Sequence, residues 1–189
     1  LIERVLAEPN ELSIFPIGPL TNIAMAIRKE PRFAGAVKEL VIMGGAIREA
    51  GNVTPLAEFN IHVDPHAAHI VFHAGIPIRL VPLDVTEQCW MCQEDADRLM
   101  QIPSPISRFI KDMMDVYLPV SLEFGYPGSA LHDPLTLTTI IAPELLSWKE
   151  YYVDVDISGG PSMGKTFADV LHLTKKPANM KVAMDVRGK

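Results

Sequence analysis

The chain has 189 residues, 48% of them hydrophobic and 21% charged, which is enough apolar material for one well-buried domain. A formal charge of −6 without a long Lys/Arg run argues against a nucleic-acid surface. No apolar run approaches the roughly 18 residues of a membrane span, and LIERVLAEPNE does not read as a secretory leader, so no membrane partner is expected.

LIERVLAEP has helical spacing, with Leu1, Val5 and Leu6 apolar between charges. LSIFPIG reads as a short buried strand ending at Gly18. PLTNIAMAIRKEP then has the marks of a helix: Pro19 at its start, Thr21 and Asn22 in its cap region, and Pro31 as its stop. AVKELVIMGG supplies a second buried strand, Leu40 to Met43, ending in a glycine pair. A polar loop leads into FNIHV, which reads as extended. DPHAAHIVFHAG predicts a helix with Asp64 as N-cap, Pro65 at its first position and Gly75 past its end. Ile78 to Leu83 reads as another buried strand. EDADRLMQI and PISRFIKDMMDVYLPVSLEF have helical patterns, and HDPLTLTTIIAPEL another, with Asp133 and Pro134 at its start. YYVDVDIS, VLHLT and KVAMDV read as antiparallel strands. The alternation of apolar strands with helices predicts a single α/β domain over 1–189, a mostly parallel Rossmann-like sheet flanked by helices.

Cys89 and Cys92 form C-x-x-C with no second pair to complete a zinc site. They read as reduced thiols, and a cytoplasmic location is the expectation. His66, His69 and His73 share a helix face, but no carboxylate or cysteine adjoins them in sequence, so a wetted surface is the heavier reading. Met25, Met43, Met113 and Met114 read as core filler. MGGAIREAG matches neither a Walker loop nor a dinucleotide fingerprint.

Ligands of such sheets lie beyond the carboxyl ends of strands. Three clusters could converge there: GPLTN with Thr21; Asn52, Glu58 and Asn60; and His132 with Asp133. On an extended segment Glu58 and Asn60 would face one way, with Phe59 facing the other. A carboxylate beside carboxamides suits a polyol, whose hydroxyls both donate and accept. Asp133 could hold a hard cation and His132 could move a proton near neutral pH. Local chemistry also offers plainer roles. Asp64 and Asp133 each precede Pro at a helix start, where capping is the heavier reading. His132 by itself reads as a satisfied or surface histidine, and Glu58 and Asn60 could simply be solvated. The residues by themselves point to a small-molecule site for a sugar-like ligand.

GPLTNIAMAI, VIMGGA, GNVTPLAEFNIHVDPHAAHIVF and LHDP occur in this order between Gly18 and Pro134. Together they resemble the nucleoside hydrolases, the inosine/uridine-preferring ribonucleoside N-ribohydrolases. The resemblance implies hydrolysis of an N-glycosidic bond to ribose and free base, with Ca²⁺ at the pocket floor. It implies that Thr21 offers its carbonyl, and Asp133 its carboxylate, to that ion. Asn52, Glu58 and Asn60 would hold the ribose hydroxyls, Met43 would pack near the sugar, and His132 would help the leaving base accept a proton. Tyr117, Phe124 and Tyr126 would line the leaving-group pocket or pack between helices.

The family's pattern also includes D-x-D-x-x-x-D-D after its first strand, the source of most calcium carboxylates and of the general base. These 189 residues contain no such pattern. The resemblance therefore implies the C-terminal portion of a nucleoside hydrolase, inactive by itself, with both ends interior to a longer chain. A bared apolar sheet edge would favour a homo-oligomer. A non-catalytic ribose- or nucleoside-binding relative is the alternative.

Overall fold

A computed structural model describes residues 1–187. Helix α1 (Ile2–Ala7) precedes β1 (Ser13–Ile14), α2 (Thr21–Lys29) and α3 (Arg32–Ala36). Then come β2 (Glu39–Met43), α4 (Phe59–Val63), α5 (Pro65–Phe72), β3 (Ile78–Val81) and α6 (Leu83–Thr86). They are followed by β4 (Trp90–Met91), α7 (Gln93–Leu99), α8 (Pro105–Glu123), β5 (Ser129–Ala130) and α9 (His132–Ile141). After a 3-10 turn at Pro143–Leu145 come β6 (Leu146–Tyr151), β7 (Val153–Val155), β8 (Thr166–Ala168) and β9 (Met180–Val186).

The main sheet has the order β1-β2-β3-β9-β6. β1, β2, β3 and β9 run parallel, and β6 closes one edge antiparallel to β9. This is the mostly parallel, helix-flanked α/β architecture expected of the apolar runs. Their period of two sorts the core into two layers. Leu40, Ile42, Leu80 and Val182 pack with residues of α2, α3 and α5 on one face. Val41, Val81 and Ala183 pack with Val85 of α6 and Leu135 of α9 on the other.

Four local expectations need correction. FNIHV is a helix: the Glu58 carboxylate accepts from the N–H groups of Asn60 and Ile61 and caps it, overriding the β-branched pattern. VLHLT is not a strand, because the Asp169 carboxylate takes the N–H groups of Leu173 and Thr174 in a turn. KVAMDV is antiparallel to β6 as expected, but it belongs to a different sheet from the β7–β8 hairpin and runs parallel to β3 on its other side. The strand expected from Ile78 to Leu83 stops at Val81, because Pro82 has no N–H to donate and α6 begins after it.

Among the described residues no helix is long and apolar enough to cross a membrane. α8 turns Met114 and Leu118 inward against Ala96 of α7, and leaves Ile106, Phe109, Val116 and Val120 exposed.

Candidate active site

Beyond the carboxyl ends of β1 and β2 lies a cavity of about 780 Å³. Met43, Asn52, Glu58, Asn60, His132 and Asp133 all line it, so six of the seven residues marked in the sequence share one space. Thr21 does not line it. It opens α2 on the surface, where its hydroxyl donates to Asp64 Oδ2 at 2.6 Å. From the same β1–α2 connection the cavity is lined by Ile17 instead.

Glu58 organises the floor. It is 2% exposed, and its carboxylate accepts from the backbone N–H groups of Gly45 (2.8 Å), Asn60 (2.8 Å) and Ile61 (3.1 Å). Gly45 has φ of +80°, and a Cβ there would lie 2.9 Å from Thr166 Oγ1, so the chain needs glycine at this turn. Burial pushes the Glu58 carboxyl above the usual range although all three N–H bonds pull the other way, and the nearby Asp133 charge adds to the rise.

Asn60 is buried, and its amide donates to the Met43 carbonyl at 3.1 Å, which leaves its own side-chain oxygen for a ligand. Asn52 accepts from Phe59 N–H at 2.9 Å and so ties the polar loop to the start of α4. The glycine-pair loop is held from below by Asp84, which receives the N–H groups of Ile47 (2.7 Å) and Arg48 (2.8 Å).

His132 Nδ1 lies 2.8 Å from the hydroxyl of Thr86, a fully buried residue of α6. Burial lowers the His132 pKa, which keeps the ring neutral near pH 7, and the Asp133 charge opposes this only in part. Asp133 is not the cap of α9. The helix starts one residue earlier, at His132, and the N-cap position is Leu131. The Asp133 carboxylate has no hydrogen-bond donor among the described residues, and burial raises its pKa. An under-satisfied carboxylate facing a cavity is the kind of donor a hard cation takes. A calcium shell of six to eight oxygens would need more donors than the Asp133 carboxylate alone.

The far wall is apolar, formed by Met91, Ile110, Met113, Met114 and Tyr117. Met43 and Met114 are nearly buried, but Met25 is 62% exposed and fills no core. Tyr117 lines the cavity; Tyr126 instead stacks on Trp90, and Phe124 is exposed. Cys89 and Cys92 form no disulfide. Ile17, Asp84 and Thr86 lie in the strand-end stretches IGPLTN and PLDVTEQ, which stand out in the sequence, but their individual partners do not, since a threonine 46 residues from its histidine has no local signature. The face of His66, His69 and His73 is open to solvent as expected, but a carboxylate does adjoin it: Asp154, distant in sequence, meets His69 and His73.

The chain matches the inosine-uridine preferring nucleoside hydrolase family over residues 1–189. A pyrimidine-specific ribonucleoside hydrolase of Escherichia coli is 36% identical over 187 residues, 98% of this chain and 59% of the relative. A purine-preferring ribonucleoside hydrolase from Gardnerella vaginalis superposes with a TM-score of 0.89 at 34% identity, over 98% of this chain and 59% of the other. A plant nucleoside hydrolase gives a TM-score of 0.91 at 31% identity, covering 98% and 61%. The chain thus spans about three-fifths of the length of these relatives. Sequence and architecture agree over nearly all of it: the chain belongs to the inosine-uridine preferring nucleoside hydrolase family.

Proposed function

We propose that this chain supplies the ribose-binding and leaving-group side of a ribonucleoside N-ribohydrolase site. One observation carries the reading: Asn52, Glu58 and Asn60 share a single cavity with His132 and Asp133, some seventy residues further along the chain. The relatives' names, one pyrimidine-specific and one purine-preferring, support a ribonucleoside as the substrate class.

The chemistry follows from the groups present. Carboxamides and a carboxylate match the mixed donors and acceptors of a ribose. Breaking the glycosidic bond builds positive charge on the sugar ring, which the negative charges of Glu58 and Asp133 stabilise. If Thr86 donates to Nδ1, the single proton of the neutral His132 ring sits on Nε2. From there it can donate to a nitrogen of the departing base. The methionine and tyrosine wall offers that base an apolar surface to lie against. Ca²⁺, held by Asp133 and a carbonyl of the β1–α2 connection, would chelate sugar hydroxyls and acidify a bound water. Among the described residues the cavity lining holds no carboxylate besides Glu58 and Asp133 to serve as base, so we expect negligible turnover by these 189 residues alone. Hydrolysis of inosine or uridine by the purified chain would refute that.

The binding half of the proposal is tested by calorimetric titration of the chain with ribose in CaCl₂. We expect a saturable, calcium-dependent heat that Asn60→Ala removes. A folded wild-type chain that binds no ribose with calcium present would sink the reading. We further propose self-association through the exposed apolar side chains of α8.

A further inference from the structure

α5 carries His69, its C-cap residue His73 follows one turn on, and β7 brings Asp154 against them. One ligand atom from each lies within 4.8 Å of the other two. His69 Nδ1 is 2.9 Å from Asp154 Oδ1, and His73 Nε2 is 3.6 Å from Oδ2. A tetrahedral ion with bonds of about 2.0–2.1 Å needs its ligand atoms roughly 3.3 Å apart, so the three donors are close to coordination spacing, with the two histidines approaching different oxygens of the carboxylate.

The surroundings orient these donors. The His69 carbonyl accepts from His73 Nδ1 at 2.8 Å, so the proton of a neutral His73 ring sits there and Nε2 presents its lone pair. The Tyr152 hydroxyl donates to Asp154 Oδ2 at 2.8 Å, and Val155 N–H donates to Oδ1 at 2.9 Å, so the carboxylate is held in place. Lys176 engages the Tyr152 oxygen (2.8 Å) and ring rather than the carboxylate. The His69 and His73 side chains are 40% and 34% exposed and that of Asp154 is 16% exposed, so an ion can enter from solvent against an anchored acid. None of the three lines the ribose cavity.

Two imidazoles and one carboxylate are not a calcium donor set; they suit a borderline metal. We propose that His69, His73 and Asp154 form a binding site for a divalent transition-metal ion of the zinc type. The ion would clasp α5 to the β7–β8 hairpin and leave its fourth position to water. The clasp has structural reach: α5 follows α4, whose cap is Glu58, and β8 carries Thr166, which bonds the backbone of Ala46 at 2.8 Å.

The test uses the whole chain, stripped with a chelator and titrated with CoCl₂ and then ZnCl₂. We expect the visible absorption of one four-coordinate cobalt per chain, its loss on adding zinc, and a zinc-dependent rise in Tm. His69→Ala and His73→Ala should each abolish the cobalt band or raise the zinc Kd at least about tenfold. Both rings are solvent-accessible, so these variants carry the test even if Asp154→Asn fails to fold. Cys89→Ser/Cys92→Ser should keep the band. No cobalt or zinc binding at millimolar metal would overturn the proposal. So would a band that survives both histidine substitutions or disappears with the cysteines.

Discussion

Glu58 has two jobs at one carboxylate, and substitutions can separate them. Alanine leaves the buried N–H groups of Gly45, Asn60 and Ile61 without an acceptor, whereas glutamine removes the charge that burial penalises and keeps one acceptor oxygen, enough for Gly45 and Ile61 but not for Asn60. Each orphaned donor costs on the order of 1 kcal/mol or more, so Glu58→Ala should lose roughly 2–4 kcal/mol in urea unfolding and Glu58→Gln, which orphans one donor, about 1–2 kcal/mol. Both should weaken ribose binding. His132 carries a pH signature. Burial holds its folded-state pKa below the ordinary 6.5. As pH falls through 6.5, the unfolded chain takes up a proton that the folded chain resists, and stability drops until the depressed folded pKa is passed. His132→Asn should flatten this part of the stability profile, read from urea melts at a series of pH values. An unchanged slope would place the titration elsewhere.

At the scale of elements, two Asp-Pro pairs that look alike in sequence do different work. Asp64 caps α5, accepting from Ala67 N–H at 3.0 Å, and its other oxygen takes the Thr21 hydroxyl, tying α2 to α5. Asp133 lies inside the first turn of α9 and caps nothing. Asp64→Ala should therefore cost about 1–2 kcal/mol of stability. Asp133→Asn should stay within about 0.5 kcal/mol, because the helix-dipole gain and the burial cost of its charge oppose one another. Calcium-dependent ribose binding should respond in the reverse order, surviving Asp64→Ala and failing in Asp133→Asn. Thermal melts paired with calorimetry on the two variants check both halves.

For the whole molecule, the parallel sheet does the positioning. Aligned strands bring the loops after β1 and β2 to one edge, and α9 returns from the far side with His132 and Asp133. The same arrangement leaves Ile106, Phe109, Val116 and Val120 of α8 facing solvent. Burying them against a second copy would remove the cost of that exposure. Sedimentation equilibrium should therefore show a species heavier than the 20.9 kDa chain, and Phe109→Glu should shift it toward the monomer mass. A wild-type chain that sediments as a monomer at every concentration would end the self-association proposal.

The apolar runs at Leu40–Met43 and Ile78–Val81, the Asp64-Pro65 helix start and the polar segment from Asn52 to Asn60 were legible because each is a local pattern. Period and caps are written in neighbouring residues. FNIHV misled because its β-branched pattern is local, whereas the acid that starts the helix is held by Gly45 across the glycine-pair turn. From the β1–α2 connection Ile17 lines the cavity and Thr21 does not, and the Thr21 hydroxyl instead bonds Asp64, 43 residues away. Asp154 lies 85 residues from His69, and only the folded chain sets the hairpin against α5. Sequence alone thus determined most of the elements and the residue types that line the cavity. Tertiary structure decided which polar groups meet, because contact between distant residues depends on strand order, which no local pattern records.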